Sequence, residues 1–295
     1  MTGFRSGVAT VVGRPNVGKS TLVNALVGQK IAIVSDKPQT TRSGIRGILT
    51  RDGVQVVFTD TPGFHKPRTP LGSRLNDAVA NAASGVDVVV HVVDAKSGVG
   101  RGDGFVYERQ VVRSGATARF CVVNKIDGLR HRDLVPQLVA AGELGDYDEI
   151  IPVSARDGKG VDEVRELVVE RMPEGPALFP EGPATDQPLE IRLAELVREK
   201  ALGVTRQEVP HSIAVVVEEL DREEGLTRMH ATLIVERDSQ KGIVIGRGGE
   251  TLKTIGTRAR REMELLLGTK VYLDLRVKVL KEWQRDPKAL DRLGF

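Results

Sequence analysis

Residues 13–20 read GRPNVGKS, a match to the phosphate-binding pattern G-x-x-x-x-G-K-[ST]. In this pattern the glycines turn backbone N–H groups toward a phosphate. Lys19 supplies a positive charge to the β- and γ-phosphates, and the Ser20 hydroxyl is a ligand for Mg²⁺. The apolar residues 8–12 predict a strand before the motif, and residues 20–27 predict a helix after it, whose N-terminus adds partial positive charge. This strand–loop–helix context predicts a nucleotide site.

The choice of base is predicted by NKID at residues 124–127, directly after the strand-like run 120–123. The Asp127 carboxylate can accept hydrogen bonds from guanine N1–H and the 2-amino group, and adenine lacks this pair of donors. The Lys125 stem can lie over the base, and Asn124 can tie this loop to the phosphate loop. These features favour guanine over adenine.

A further strand-like run, residues 150–153, leads to Ser154 and Ala155. Ligands of open α/β sheets bind at the carboxyl ends of the strands. A backbone N–H at this position can therefore meet guanine O6.

A metal-binding position is predicted where the strand-like residues 54–58 lead into DTPG at residues 60–63. Asp60 can bind Mg²⁺ through a water, and the Gly63 N–H can meet the γ-phosphate. Both groups follow a strand end, as the nucleotide site requires.

A mobile segment is predicted at QTTR, residues 39–42, which lies in a polar stretch containing a proline. The hydroxyl of Thr40 or Thr41 can complete the Mg²⁺ shell only when the γ-phosphate is present. Loss of that phosphate would release residues 35–42 and 60–72, which is an order–disorder switch.

Slow hydrolysis is predicted by Phe64, which follows Gly63 where Ras-like GTPases have a glutamine that orients water. Phenylalanine cannot hydrogen-bond water, so we expect roughly 10⁻⁴ to 10⁻² s⁻¹. The Asn16 amide oxygen can compensate by helping to hold K⁺ beside the phosphates. For His65 we expect an exposed loop position.

The bulk composition is that of a globular protein: 295 residues, 40% hydrophobic, 28% charged and a net charge of +3. The length suggests two domains. The sequence shows no long apolar run and no signal-peptide core, and its one cysteine, Cys121, lies in an apolar run that predicts burial. We therefore expect a cytoplasmic protein.

The dense prolines and glycines of residues 173–188 predict a linker, and the elements beyond it read α-β-β-α-α-β. A final helix is predicted near residues 281–293. Between two of the predicted helices lies Gly246-Arg247-Gly248-Gly249, a G-x-x-G loop flanked by basic residues. Such a loop and the groove beside it clamp about four nucleotides of single-stranded RNA in KH domains.

Taken together, these motifs resemble the Era family of bacterial ribosome-assembly GTPases. The resemblance covers nearly the whole chain and includes GRPNVGKSTLVNAL, QTTR, DTPGFH, NKID, GIVIGRGGETLKTIG and VYLDLRVKVLKEW. It implies an α/β fold in which a P-loop GTPase domain with a mostly parallel, doubly wound sheet precedes an α+β type II KH domain. The expected boundaries are residues 1–175 for the GTPase domain, 176–188 for the linker and 189–295 for the KH domain with a C-terminal helix.

The resemblance also implies partners: GTP and GDP, the 3′ end of 16S rRNA, the small (30S) ribosomal subunit during maturation, and the inner face of the cell membrane. It assigns the Mg²⁺-binding switch threonine to Thr41, and the family's frequent basic residue at the third loop position is replaced here by Gly248. We expect a monomer. Mg²⁺ is the expected cofactor, with K⁺ as a second candidate.

The predicted site residues fall into four groups. The GTP-binding residues are Gly13, Arg14, Pro15, Asn16, Val17, Gly18, Lys19, Ser20, Thr21, Asp60, Thr61, Pro62, Gly63, Asn124, Lys125, Asp127, Ser154 and Ala155. The catalytic residues are Lys19, Thr41, Gly63 and Asn16, and the metal ligands are Ser20, Thr41 and Asp60. The RNA-binding residues are Lys241, Ile243, Ile245, Gly246, Arg247, Gly248, Gly249, Lys253 and Arg258.

Two other functions stay open at this point. One is a membrane-associated GTPase whose basic C-terminal half binds anionic lipid, which would follow charge alone, whereas an RNA groove prefers certain bases. The other is a metabolic enzyme that uses GTP to phosphorylate a small molecule, although no further acid–base group beside the phosphate loop favours it.

Overall fold

The computed structural model describes residues 3–37, 40–42, 44–62, 69–82, 85–205 and 212–294. These residues form two compact units. The second unit contains residues 187–294 together with residues 35–37, 40 and 69–71, and the first contains the other described residues up to 186.

The first unit is built on a six-stranded sheet with the strand order β2-β3-β1-β4-β5-β6. Its strands are β1 (Arg5–Val12), β2 (Ile45–Arg51), β3 (Val54–Asp60), β4 (Val88–Asp94), β5 (Ala118–Asn124) and β6 (Glu149–Val153). Only β2 runs antiparallel, against β3. The other pairs are parallel, which requires a crossover connection between successive strands.

Helices supply these crossovers. They are α1 (Lys19–Val27), α2 (Pro70–Ala82), α3 (Arg101–Val106) and α4 (His131–Gly142), and a fifth helix, α5 (Val161–Glu170), follows the last strand, β6. Alternate residues of β4 pack into different cores, Val88 and Val90 into one and Val89 and Val93 into others. Every residue of β4 is buried, because helices cover both faces of the sheet. The predicted parallel, doubly wound sheet is confirmed.

Residues 176–186, which are part of the predicted linker, lie against β2 and β3. The Gln55 side chain donates to the Phe179 carbonyl at 3.0 Å and accepts from the Phe179 N–H at 2.8 Å. The Ile48 N–H donates to the Ala184 carbonyl at 2.7 Å. These bonds satisfy polar groups near β2, which is an edge strand of the sheet among the residues that the structure describes.

The second unit has the predicted order α-β-β-α-α-β. Its elements are α6 (Leu189–Val204), β7 (Ala214–Glu223), β8 (Leu226–Val235), α7 (Asp238–Ile245), α8 (Glu250–Leu267), β9 (Lys270–Val279) and α9 (Pro287–Arg292). β8 pairs antiparallel with β7 and parallel with β9. Among the described helices, none combines the length and apolar character that a membrane crossing requires.

The core of this unit depends on one face of α8. Ile255, Ala259 and Met263 follow one another at intervals of four residues and are fully buried. The same helix leaves Leu265 86% exposed near its C-terminal end. This pattern is the amphipathic spacing that places one stripe of a helix in a core.

The predicted helix at residues 281–293 is wrong in one respect, because it is two separate pieces. Trp283–Arg285 forms a single 3₁₀ turn, and α9 begins at Pro287. Asp286 is extended and accepts from the Lys288 N–H at 3.0 Å, while Pro287 has no N–H to continue a preceding helix. Trp283 is fully buried and donates from Nε1 to the Ser212 carbonyl at 3.1 Å.

The packing of α8 gives a stability prediction. Ile255→Ala should lower the free energy of unfolding of the second unit by about 3 kcal/mol, because it removes a fully buried side chain and leaves a cavity. Leu265→Ala on the same helix should change it by less than about 0.5 kcal/mol. Denaturant unfolding followed by the fluorescence of Trp283, the one tryptophan of the chain, measures both. Equal losses in the two variants would contradict this packing.

Candidate nucleotide and nucleic-acid sites

The phosphate loop connects β1 to α1 at the carboxyl edge of the sheet. Gly18 has φ +99°, and a Cβ there would collide with Asn124 Nδ2, so a glycine is needed both for the turn and for the close approach. Asn16 also has a positive φ, of 63°, and is exposed. The loop backbone therefore turns sharply at these two residues.

Lys19 is held inside this loop. Its Nζ donates to the Gly13 carbonyl at 3.1 Å and to the Arg14 carbonyl at 2.9 Å. Burial lowers the pKa of Lys19 to about 8, although the nearby Asp60 carboxylate acts in the opposite direction. A phosphate group beside Nζ would favour the charged ammonium, which is the form that can neutralise phosphate oxygens.

Three oxygen ligands of the predicted metal site lie together. Ser20 Oγ is 2.9 Å from Thr41 Oγ1, and Thr41 Oγ1 donates to Asp60 Oδ2 at 3.0 Å. Asp60 is fully buried, and its Oδ1 has no hydrogen-bond partner among the described residues. Burial raises the pKa of Asp60, against the bonds from Ser20 and Thr41 and the charge of Lys19.

This donor set fits Mg²⁺, which prefers oxygen ligands and is usually held by one or two carboxylates plus phosphates and water. The main support for this fit is Asp60 Oδ1, a buried oxygen that has no hydrogen-bond partner among the described residues. When bound, the cation would neutralise charge on the phosphates. Thr40, the other candidate threonine, is not part of this cluster, since its Oγ1 donates to the Lys37 carbonyl at 2.6 Å.

Asn124 joins three loops of the site. Its Nδ2 donates to the Val17 carbonyl at 2.9 Å, and its Oδ1 accepts from the Ala155 N–H at 3.0 Å. The phosphate loop, the NKID loop and the loop after β6 are therefore held in one arrangement. The predicted tie between Asn124 and the phosphate loop matches this geometry.

Lys125 has a left-handed backbone with φ +65°, and its Nζ donates to the carbonyl of Asn16 and, at 2.7 Å, to Asp94 Oδ2. Burial alone would raise the pKa of Asp94. Hydrogen bonds from Lys125 and from the N–H groups of Ser97 and Lys96 outweigh it, so the pKa is lowered.

Asp127 lies between the loops after β4 and β6. Its Oδ1 accepts from Ser154 Oγ at 3.1 Å, and its Oδ2 accepts from Lys96 Nζ at 2.7 Å and lies 3.1 Å from Arg156. The hydrogen bond from Lys96 is the main reason that the pKa of Asp127 is lowered. The lowered pKa favours the ionised carboxylate, which is the form that accepts hydrogen bonds.

The structure brings the described nucleotide-site predictions to one edge of the sheet. Two of these side chains have other roles: Thr61 Oγ1 donates to the Val11 carbonyl at 2.8 Å, and the Arg14 guanidinium bonds to Asp103. These two side chains are therefore engaged within the protein. Gly63, Phe64 and His65 lie outside the described residues.

Sequence reasoning missed Asp94 and Lys96. Asp94 accepts a hydrogen bond from Lys125, and Lys96 donates one to Asp127. The available signal was an aspartate at the carboxyl end of the apolar run of β4, the same position that Asp60 occupies at the end of β3. Cys121 is buried as predicted, and burial raises the pKa of its thiol to about 12.

The G-x-x-G loop lies between α7 and α8. Gly246 has φ +76°, and a Cβ there would collide with the Thr251 hydroxyl. The loop therefore lies directly over the first turn of α8, where backbone N–H groups have no partner within the helix.

A groove of about 510 Å³ runs from this loop between α8 and β9. Its lining residues are Leu226, Gly249, Leu252, Lys253, Gly256, Thr257, Arg260, Val271, Tyr272, Leu273 and Leu275. The floor is apolar, the rim carries Lys253 and Arg260, and Tyr272 is 55% exposed.

Of the predicted RNA residues, Gly249 and Lys253 line this groove. Lys241, Ile243, Ile245, Gly246, Arg247, Gly248 and Arg258 do not belong to its lining. Arg258 lies outside the groove because it is two residues from the lining residue Gly256 on α8, and residues two apart on a helix face different directions. Thr257 and Tyr272 were missed, since which faces of α8 and β9 meet is decided by tertiary packing.

Two family models match the chain. One, described as "50S ribosome-binding GTPase", covers residues 8–125, and the other, described as "KH domain", covers residues 208–284. The first match falls mostly on the first unit, and the second match falls on the second unit.

Curated relatives match from end to end. GTPase Era of Mycolicibacterium smegmatis is 52% identical over 299 residues, and GTPase Era of Mycobacterium tuberculosis is 53% identical over 300 residues. Each alignment covers 100% of both chains.

Two solved structures are similar over 99% of each chain, with a TM-score of 0.94 and 37% identity. One is Era in complex with MgGDPNP and nucleotides 1506–1542 of 16S ribosomal RNA, and the other is a variant of Aquifex aeolicus Era bound to GDP and AlF₄⁻. The sequence resemblance is therefore confirmed: the chain belongs to the Era family and is a GTPase with a P-loop domain followed by a KH domain.

Proposed function

We propose that the chain is a GTP-driven switch that binds the 3′ end of 16S rRNA through its second unit and assists maturation of the small (30S) ribosomal subunit. The main support is the similar Era structure, which was solved with MgGDPNP and nucleotides 1506–1542 of 16S ribosomal RNA. The groove beside the G-x-x-G loop supports the same function independently.

In this proposal residues 13–21, 60–63, 124, 125, 127, 154 and 155 hold GTP or GDP. Backbone N–H groups of the phosphate loop and Lys19 contact the phosphates, and Asp127 reads the guanine base. Ser20, Thr41 and Asp60 hold Mg²⁺, supported by the distances that join their oxygens.

Hydrolysis transfers the γ-phosphoryl group of GTP to water and yields GDP and phosphate. In this proposal Lys19 and Thr41 position the reacting groups, while a phenylalanine side chain at position 64 can offer water no hydrogen bond. We therefore propose a slow intrinsic rate. We further propose that K⁺ bound by the exposed Asn16 supplies compensating charge; equal turnover in K⁺ and Na⁺ buffers would refute this part alone.

For RNA, the groove combines features that suit single-stranded bases. Its apolar floor can hold bases out of water, and Lys253 and Arg260 on the rim can contact phosphates. Exposed Arg247 adds charge at the loop. Preference for particular bases separates this function from binding of anionic lipid, which follows charge alone.

Coupling between nucleotide and RNA is the remaining part of the proposal. Thr40, which precedes Thr41, belongs to the second unit, and its carbonyl accepts a hydrogen bond from the buried guanidinium of Arg198 on α6 in that same unit. Loss of the γ-phosphate would release Thr41 and its neighbours in residues 35–42, which is the order–disorder change that this proposal invokes.

We also propose the domain boundaries 1–175 and 189–295 with residues 176–188 between them, a monomeric state, and a cytoplasmic location with peripheral association at the cell membrane. A sedimentation measurement tests the monomeric state. Binding to anionic vesicles that survives high salt would argue against a purely electrostatic membrane contact.

The base-reading prediction uses Asp127→Asn. The variant should bind GDP at least about a hundredfold more weakly, because it loses two charge-assisted hydrogen bonds to guanine, and should gain affinity for xanthosine diphosphate. The xanthine ring offers an oxygen where guanine has its amino group, and an amide can donate to it. Calorimetry measures both ligands. Asp157→Asn, an exposed neighbour, is the control, and the same loss in both variants would refute the assignment.

The metal-site prediction compares neighbouring threonines. Thr41→Ala should lower the GTP hydrolysis rate by about a hundredfold and leave GDP affinity unchanged, since the hydroxyl is needed only with the γ-phosphate. Thr41→Ser should restore the rate. Thr40→Ala, which removes only the bond to Lys37, should behave as the wild type. Phosphate release under single turnover measures all three, and a slow Thr40→Ala with a normal Thr41→Ala would reverse the assignment.

The RNA prediction pairs Arg247→Asp with Gly248→Asp in one variant. Binding to a single-stranded RNA carrying the 16S 3′ end should weaken, and the slope of log affinity against log salt should become shallower by about 0.7 for each phosphate that the variant no longer neutralises. Lys19→Ala should keep RNA binding and lose nucleotide binding. Arg222→Asp, an exposed change on β7, controls for charge. Wild-type RNA affinity in the double variant would refute the KH site.

A further inference from the structure

A segment outside the nucleotide motifs contacts both the base loop and the phosphate loop. Residues 94–103, DAKSGVGRGD, run from the end of β4 into the first turn of α3. At one end Asp94 accepts from Lys125 at 2.7 Å. At the other end Arg14 of the phosphate loop donates from Nη2 to the Gly98 carbonyl at 3.1 Å and from Nε to Asp103 Oδ1 at 2.7 Å.

The side chain of Asp103 in this segment is fully buried, which is rare for a charged residue. Both of its carboxylate oxygens have partners: Oδ1 accepts from Arg14, and Oδ2 accepts from the Gly100 N–H at 2.9 Å. A buried carboxylate is strongly unfavourable without such partners. The ion pair with Arg14 and the hydrogen bond from Gly100 together offset the cost of burying this carboxylate.

The packing around Arg14 is equally close. A Cβ at Gly102 would lie 2.7 Å from Arg14 Cδ, so the absence of a side chain there lets α3 approach the arginine stem. Arg14 is thereby held along its stem and at its guanidinium. Its side chain points to this segment, and the carbonyl of the same residue accepts from Lys19 Nζ at 2.9 Å.

We propose that Asp103 is a positioning residue for phosphate binding: through Arg14 it holds the carbonyl that orients the Lys19 ammonium. The proposal deepens the nucleotide site of the proposed function and rests on it. Asp103 touches neither nucleotide nor metal in this role. It acts on the phosphates through Arg14 and then Lys19, while the base is read separately by Asp127.

The test is Asp103→Asn, with Asp133→Asn as the matched control. Asp133 also pairs with an arginine, Arg130 at 2.8 Å, but this pair is exposed on α4. Asp103→Asn should bind GDP about tenfold more weakly, the loss expected for one charge-assisted hydrogen bond. The ³¹P shift of the β-phosphate of bound GDP should move, and the ratio of GDP to inosine diphosphate affinity should stay as in the wild type.

The control variant should leave all three quantities unchanged. Wild-type GDP affinity and ³¹P shift in Asp103→Asn would overturn the proposal, and so would equal losses in both variants. If Asp103→Asn does not fold, Arg14→Met tests the same link, because it keeps the bond from Gly100 to Asp103; wild-type GDP affinity in Arg14→Met would overturn the proposal. Failure of the unaltered chain to bind GDP would instead count against the nucleotide site itself.

Discussion

The side-chain amide of Asn124 bonds to the backbone of two other loops, at Val17 and at Ala155. Each of these loops follows a different strand, and the sheet alone does not determine how they face one another. An amide can donate at one end and accept at the other, which no carboxylate or ammonium can do. Each such bond contributes about 1 kcal/mol, and losing the amide would also leave a buried carbonyl unpaired. The rest of the nucleotide site depends on this arrangement.

The parallel sheet explains why these loops are neighbours at all. β1, β3, β4, β5 and β6 all end at the same edge, so the residues after each strand converge there. The second unit uses a different geometry. β8 and β9 are parallel and joined by α7 and α8, and the loop between these helices meets the groove beside β9. In both units glycines allow a backbone to come close to its neighbour, at Gly18 and at Gly246.

Much of this was accessible from the sequence, because the motifs lie directly after apolar runs. Lys19 was predicted from the phosphate-loop pattern, and Asp60 and Asp127 were predicted from residue type and position at or just after a strand end; the structure places all three at one edge of the sheet. The order α-β-β-α-α-β was predicted from periodicity alone. Where a turn had strong local chemistry, as at Asp286-Pro287, the signal was present and the prediction of one continuous helix overlooked it.

Other features were inaccessible for a physical reason. The pair of Arg14 and Asp103 joins residues 89 positions apart, and neither lies in a pattern that names the other. Tyr272 lines the groove only because β9 pairs in parallel with β8, a register that no local propensity determines. Gln55, a polar residue on a buried strand, has its partner more than a hundred positions away at Phe179. Contacts of this kind depend on the completed fold.

The burial of Cys121 has a practical consequence. It is the only cysteine of the chain, and its thiol is both covered and hard to ionise. Maleimide dyes and spin labels react with exposed thiolates, so the native chain offers them no efficient target. A cysteine introduced at an exposed position such as Leu265 would be labelled selectively without first removing a native residue. Two cysteines introduced in this way would therefore allow distances to be measured by fluorescence transfer or electron spin resonance.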